Sequence, residues 1–486
     1  MYFALLTTFF ILITPLLVWI EYRRQRLNDR FRLVPGPPQL PIIGSIYSVR
    51  PNKLTEIVEC FDQLMVAPTV KLVFGGKLLL FVTDPNHLAQ IFPTKIWLER
   101  SYIFDLFELK SGMLAAKYKF WKPYRKFTSH CFSQRSVLDM IPTFNKHVDI
   151  LCKKLEEHVD EQVFDFNELT IKMSIDQVLE NLFGCKNPDP SINGDVFEEL
   201  EDAISARMIN PFYMPWITFR LSYMYKIHKL SRYMLRKVIQ PIVDEKLKAM
   251  KYGENDTEKP TFIDEVLNFE FEGKKLEGEE LIENLGSMFM AGYETSGLTV
   301  AYGILMLAMH PEYEEKLLKE ILANYKPGTL VDYETIKNMP YLDMIVKETL
   351  RHFPAVPITE REALAPCEIQ GLGKIEKGET ILINFHKLHH WPQFWGEHTF
   401  DFYPDNFLPE NVAKRHPYAF QPFSGGARNC IGLNYAMMSV KIALIKILTQ
   451  YQFTTKMTMK DLVLKFSITL KLDNGHMVQV KKRVLE

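Results

Sequence analysis

"FSGGARNCIG", residues Phe423–Gly432, decides how the rest of this chain is read. It sets one thiol, Cys430, two residues after a guanidinium, Arg428. Beyond it, apolar side chains recur at Leu433, Ala436, Met437, Val440, Leu444, Ile447 and Leu448. That is the i, i+3, i+4, i+7 spacing of an amphipathic helix. A thiol at a helix start meets unpaired backbone N–H groups and the positive end of the helix dipole, which favour its thiolate. Gly425, Gly426 and Gly432 would let the backbone approach something bulky. Arg428 can then pair with a carboxylate.

A metal held by one thiolate needs its other positions filled. Haem does this with four pyrrole nitrogens, brings two propionates for arginine, and with a Cys axial ligand favours O–O cleavage. Phe423, Gly426, Arg428, Cys430 and Gly432 reproduce the pattern FxxGxRxCxG. On these residues the chain resembles the cytochrome P-450 haem-thiolate monooxygenases of microsomal type, and among them the insect branch related to fatty-acid hydroxylases. The resemblance implies haem b ligated through iron by Cys430.

Three more motifs follow in that family's order. "KETLRHFP" holds Glu348 and Arg351, one helical turn apart. On bare residues this is an i, i+3 ion pair. In the family it locks the core behind the haem with a P-x-R-F segment, which here reads Pro404, Asp405, Asn406, Phe407. Asn406 brings no charge, which puts the lock's third member in doubt. "KFWKPYRK" holds Trp121 and Arg125 on one helical face. By resemblance these two, with Arg361 in "ITEREAL" and Arg428, face the haem propionates. "FMAGYETSG" resembles the oxygen-activation motif of the family. Ala291 and Gly292 are small, and a mid-helix glycine costs about 1 kcal/mol against alanine, so it needs a reason; space for dioxygen is one. Glu294 beside Thr295 offers an acid and a hydroxyl for proton delivery. Relatives in the fatty-acid branch often carry Glu where Ala291 stands, ester-linked to a haem methyl. Alanine cannot esterify, so the expected haem is not ester-linked.

The N-terminus speaks to location. "MYFALLTTFFILITPLLVWI" contains no Asp, Glu, Lys or Arg, and that length can cross roughly 30 Å of hydrocarbon as a helix. Arg23, Arg24, Arg26, Arg30 and Arg32 follow, which places the remainder on the cytoplasmic side. A cleaved signal peptide is the rival reading, but the basic n-region and a small-residue cleavage site are lacking. Pro35, Pro37, Pro38 and Pro41 favour a stiff strut. The expected division is 1–20 transmembrane signal anchor, 21–45 basic stop and Pro-rich hinge, and 46–486 haem-thiolate catalytic domain. Six cysteines without a CxxC pair read as reduced, cytosol-facing thiols. The resemblance implies the endoplasmic reticulum membrane.

The body reads as mainly α with small β-sheets, an α+β arrangement in one large helix-rich domain. Two β-rich runs meet at Gly75-Gly76, a hairpin signal. The stretch from about 136 to 250 is helical in pattern, "MKYGENDTEKPT" is an exposed loop, and a long helix covers Gly278 to His310. "YLDMIVKETLRHF" is a helix ending at Pro354. "ETILINF" is a strand, and "SITLKLDNGHMVQV" reads as a hairpin around Asn474-Gly475.

The formal charge of −1 gives no reason to expect nucleic acid. Lys122, Arg125, Lys126, Lys414, Arg415 and Lys441 fall in segments that flank the thiolate side in this family. They would attract an acidic flavoprotein. No Gly-rich nucleotide fingerprint follows a strand, so electrons are expected from a separate NADPH-dependent reductase, with cytochrome b5 as a further donor. Residues 97–114 and 207–225 are aromatic and Met-rich. By family position they line the pocket for an apolar substrate and its membrane-side entrance; as plain sequence they are equally core. Expected, then, is a monooxygenase that inserts one oxygen atom of O2 into a fatty acid, hormone or xenobiotic. The rivals are a peroxide isomerase or dehydratase on the same fold, and a haem sensor or carrier. The Glu294–Thr295 pair speaks against the first, a substrate tunnel and reductase face against the second.

Overall fold

The computed structural model describes residues 2–49, 53–107, 112–210, 212–252 and 259–485. Its axis is the 32-residue helix Gly278–Met309. Nearly every side chain from Leu281 to Ala308 is buried, because three long helices pack around it: Phe166–Phe183, Pro340–His352 and Leu433–Gln450. A helix apolar on all sides needs such a position. It ends at His310, where Pro311 begins the next helix.

The largest sheet lies at one side of this bundle. Its strands run Thr69–Phe74, Lys77–Val82, Thr380–Asn384 and Ile358–Glu362 in spatial order. The first two form the expected hairpin around Gly75 and Gly76, whose φ values are +52° and +78°. The last places Arg361 opposite Ile381, with its side chain buried.

The expected C-terminal hairpin does not form. Thr469–Leu472 pairs instead with Leu464–Ser467, and Met477–Lys482 pairs with Tyr451–Thr454 and Phe164–Asp165. The turn at Asn474-Gly475 is real, with Gly475 at φ +73°. It carries the chain from one small sheet to another, because His476 is buried and its backbone N–H donates to Asp165 Oδ1 at 2.9 Å. Of the expected loop at 250–261, residues 253–258 lie outside the described residues.

The N-terminal helix runs unbroken from Tyr2 to Arg30, with Pro15 inside it. The side chains of residues 2–7, 9, 10 and 12 lie outside the described residues. Among the described residues, no helix is long and apolar enough to cross a membrane. The segment 21–45 is packed onto the body and does not stand off as a strut. Leu27, Phe31 and Val34 are buried in a cluster with Leu78, Leu80, Ile91 and Ile375. Arg30 pairs with Glu379, and Lys71 Nζ donates to the Phe31 carbonyl at 2.7 Å. The prolines turn the chain back, so that Ile42 N–H donates to Glu21 Oε2 at 2.8 Å and Ser45 N–H to the Val73 carbonyl at 2.7 Å.

Candidate active site

Cys430 lies just ahead of the helix Leu433–Gln450, whose N-cap is Gly432. Its backbone N–H donates to the Phe423 carbonyl at 2.9 Å, which closes the loop. Its side chain is accessible although the residue is deep in the protein; the accessible surface is the wall of a cavity. That cavity encloses about 1400 Å³ of empty space, its mouth included. Burial pushes the thiol above its ordinary pKa, against the Gly432 N–H and Arg125, which pull it down. The helix start alone therefore does not favour the thiolate, as position in the sequence suggested. Desolvation outweighs it, and a bound metal cation would reverse the balance.

Two of the loop's glycines serve packing. Gly426 has φ +70°, and a Cβ there would lie 2.2 Å from the Phe92 carbonyl oxygen. A Cβ on Gly425 would meet the Phe92 ring at 2.4 Å. Neither residue lines the cavity. Gly432 does, and a Cβ there would have only Cys430 Sγ nearby, at 3.9 Å.

Trp121, Arg125, Ala291, Gly292, Thr295, Arg361, Phe423, Arg428, Cys430 and Gly432 all line this one cavity, although they come from four separate parts of the chain. Trp121 and Arg125 sit on the helix Tyr118–Thr128. The Arg428 guanidinium lies over the Trp121 ring, 4.1 Å from its centroid. Arg125 donates to the carbonyl and to Oδ1 of Asn429, both at 3.0 Å, and so clamps the thiol loop. Thr295 presents its hydroxyl on the cavity wall and donates it to the Ala291 carbonyl at 2.9 Å. Gly292 has a packing reason as well, since a Cβ there would stand 3.0 Å from Val178.

Glu294 does not line the cavity. One residue along a helix is a turn of about 100°, which aims Glu294 away from Thr295's side. It is buried, with Oε1 2.5 Å from Lys471 Nζ. The acid and hydroxyl are neighbours in sequence but face different surroundings.

Sequence reasoning missed Arg100, which also lines the cavity. It is buried, donates to the carbonyls of Leu114 and Glu360, and lies 3.8 Å from Glu360 Oε1. Arg361 donates to the Glu360 carbonyl at 2.8 Å and to Ser424 Oγ at 2.9 Å. Arg428 donates to the carbonyls of Leu98 and Ala116. Burial, then the neighbouring arginines, pull Arg428 down to about 8 and Arg361 to about 9. Guanidinium groups stay protonated, so these values register an uncompensated cluster of positive charge. Glu99 and Glu360 both act on the cluster, but Glu360 is no full counter-ion: burial raises its pKa despite Arg100. Arg428 Nη1 is buried with no hydrogen-bond partner. A flat apolar group bearing two carboxylates, with a metal that takes a sulfur ligand, satisfies both walls. Haem b fits these residues. Cys430 would hold its iron, and Arg361, Arg428 and Arg100 would take its propionates.

Behind the thiol loop, Glu348 and Arg351 form a bidentate pair at 2.8 and 2.7 Å, both fully buried. Burial would raise the Glu348 carboxyl, but Arg351 holds it at about 2. Asn406 joins this lock after all, as its Nδ2 donates to Glu348 Oε1 at 3.2 Å. Arg415 donates to the Asn406 carbonyl at 2.8 Å and stacks on Trp395. The Glu348 carboxylate acts on its guanidinium, so Arg415 brings a cation to the lock where Asn406 has none. Arg415 is thus a lock residue more than a surface cation, and Lys441 is tied to Asp343 at 2.6 Å. Lys122, Lys126 and Lys414 remain exposed.

Of the two Met-rich segments, 97–114 contributes Arg100, Met113 and Leu114 to the cavity; residues 108–111 lie outside the described residues. No described residue of 207–225 lines it. There Arg207 stacks on Trp216 and Phe219, and Phe212, Ile217 and Leu221 face outward.

The family model described as Cytochrome P450 matches residues 34–479. Cytochrome P450 4V2 of Rattus norvegicus is 28% identical, over 97% of this chain and 94% of its own length. Probable cytochrome P450 313a1 of Drosophila melanogaster is 29% identical over 99% and 100%. Cytochrome P450 4c21 of Blattella germanica is 27% identical over 90% and 91%. With a thiol on one wall of the cavity and unbalanced guanidinium groups on another, the match is one of chemistry as well as sequence: this chain belongs to the cytochrome P450 family, as a monooxygenase with cysteine-ligated haem b, in the branch of the 4 and 313 proteins.

Proposed function

We propose that this monooxygenase inserts one atom of O2 into an apolar substrate, a fatty acid, hormone or xenobiotic, with electrons from NADPH delivered by a separate flavoprotein reductase. The observation that carries the substrate class is the lining above the thiol. Met113, Leu114, Phe132, Leu182, Met288, Ala291 and Val356 form an apolar wall with Thr295 as a hydroxyl among them. Bound haem supplies electron transfer and activation of O2. The chain's residues do the rest. Cys430 provides the anionic ligand, and Arg125 keeps its loop in place through Asn429. The apolar wall excludes water and selects apolar molecules by burial. Thr295 holds a proton at Oγ over the cavity, its orientation set by the Ala291 carbonyl.

Exposed Lys122, Lys126 and Lys414 support docking of an acidic reductase near the thiol side, with cytochrome b5 as a second donor. The apolar start of the helix Tyr2–Arg30, followed by its arginines, supports a single-pass anchor in the endoplasmic reticulum membrane. The firm seat of residues 27–34 on the body would then fix the domain's tilt on that membrane. Ala291 supports haem held without an ester link.

NADPH oxidation measured with and without reductase, over a panel of lipids and xenobiotics, tests the reading. It should require reductase and rise with those compounds that shift the Soret band. Consumption indifferent to every such compound would refute the substrate class. In Thr295→Ala, haem should stay bound while oxygen consumption is diverted to peroxide.

A further inference from the structure

We infer that Glu201 and Glu294 share a single proton beside Lys471, and that Glu201 is the resident acid that recharges Glu294, one residue from Thr295. The inference rests on the monooxygenase reading above, since only that chemistry consumes protons at Thr295.

Three elements meet at this cluster. Glu201 comes from the helix Asp195–Ile209, Glu294 from the central helix and Lys471 from the strand Thr469–Leu472. Lys471 Nζ lies 2.5 Å from Glu294 Oε1. It lies 2.9 Å from Glu201 Oε2, an ion-pair contact without hydrogen-bond geometry. All three side chains are buried. Two carboxylates and one ammonium in a dry compartment leave a net negative charge, which is costly. One proton shared between the carboxyls removes it.

The other charged and titratable groups around the cluster do not change this count. Glu198 is 4.0 Å from Lys471, with a side chain 43% exposed. It pairs at 2.9 Å with Lys465, which also holds Asp202 at 2.8 Å. Lys465 thus serves this outer, wetter layer. Tyr293 is buried, and burial and the nearby carboxylates push its phenol well up, so it stays neutral. Asp195 acts on it from farther out. Burial, then the Glu294 charge, raise Glu201 well above the ordinary carboxyl value against the pull of Lys471. Of the three carboxyls only Glu198 is half-exposed; Glu201 and Glu294 are both buried. A proton passed from Glu201 to Glu294 leaves Glu201 as a carboxylate until solvent reprotonates it, so each proton spent at Thr295 is matched by one from solvent and no electrons move. Lys471 holds Glu294 away from the cavity, so delivery to Thr295 requires Glu294 to release Lys471 and turn its side chain toward that wall. Lys471 and Glu201 are positioning residues, not catalytic ones.

Infrared spectroscopy of the haem-loaded protein, with its glutamates carrying 13C carboxyls, tests this directly. At neutral pH the wild type should show a protonated-carboxyl band. Glu360, Glu362 and Glu314, also raised by burial, contribute to it, so Glu201→Gln should remove one carboxyl's share, and Glu201→Asp should move that share to the frequency of an unlabelled carboxyl. With reductase and NADPH present, the share of consumed oxygen released as peroxide should rise in Glu201→Gln and return toward wild type in Glu201→Asp. A wild-type band that is absent, or that Glu201→Gln leaves undiminished, overturns the inference whatever the turnover. That share lost with unchanged peroxide release overturns the supply role. If the band behaves as expected but the wild type consumes no NADPH or oxygen, the monooxygenase reading fails while the shared proton stands.

Discussion

Replacing Glu201 and Glu294 singly and then together measures whether one ammonium serves two carboxyls. In Glu294→Gln, Glu201 can release its proton and pair with Lys471, which is already 2.9 Å away. In Glu201→Gln, Glu294 keeps its 2.5 Å contact with Lys471. Either way the ammonium retains a carboxylate, and the loss is that of one hydrogen bond, about 1 kcal/mol. The double substitution leaves a buried ammonium with only the half-exposed Glu198, 4.0 Å away. Removing the partner of a buried charge costs about 3–5 kcal/mol, so the two changes together should exceed their sum by about 1–3 kcal/mol. Urea denaturation midpoints of the four proteins, at matched haem content, give the coupling. Additive losses would refute the shared arrangement, as would Glu294→Gln alone costing as much as the pair. The sign of the pH dependence follows. Folded Glu201 keeps a proton that the unfolded chain has released, so its contribution falls as pH rises above the ordinary carboxyl range. Glu201→Gln should abolish that fall.

Arg428→Leu and Arg361→Leu should each weaken haem retention about 10- to 150-fold, the equivalent of the ~1.5–3 kcal/mol of a charge-assisted hydrogen bond; transfer of haem to an excess of an acceptor apoprotein measures it, and unchanged transfer would place the propionates elsewhere. Glu348→Gln, which strips Arg351 of its fully buried partner, should destabilise the fold by about 3–5 kcal/mol in urea, while Asn406→Ala, which removes one donor, should cost about 1 kcal/mol. Acid-acetone extraction should release all the haem, because Ala291 offers no carboxyl for an ester; haem left on the protein would contradict this.

Much of the site was legible because its parts are short and local. The spacing from Phe423 to Gly432, the turn between Glu348 and Arg351, and the face shared by Trp121 and Arg125 are each written within about one or two helical turns. What could not be read depends on partners far along the chain. Arg100 joins the arginine cluster only because Glu99 and Glu362 bridge two distant segments, and nothing in the residues around Arg100 marks it. The glycines at 425 and 426 looked made for a ligand, but Phe92 occupies that space. Glu294 was placed on the right helix and given the wrong face, because Lys471 arrives from the C-terminal strands to claim it. The segment 21–45 read as a strut because proline reports local stiffness and says nothing of where the chain packs. Asn406 looked like a missing lock residue until Arg415, nine residues on, proved to bond its carbonyl.

The account's central claim is that Cys430 gives its thiolate to a haem iron. The spectrum of the reduced protein under carbon monoxide tests it most directly, in wild type and in Cys430→Ser. The wild type should show the long-wavelength Soret band that a thiolate ligand produces, and Cys430→Ser should lose that band while far-ultraviolet circular dichroism shows the helices intact. The same band persisting in folded Cys430→Ser would contradict the assignment.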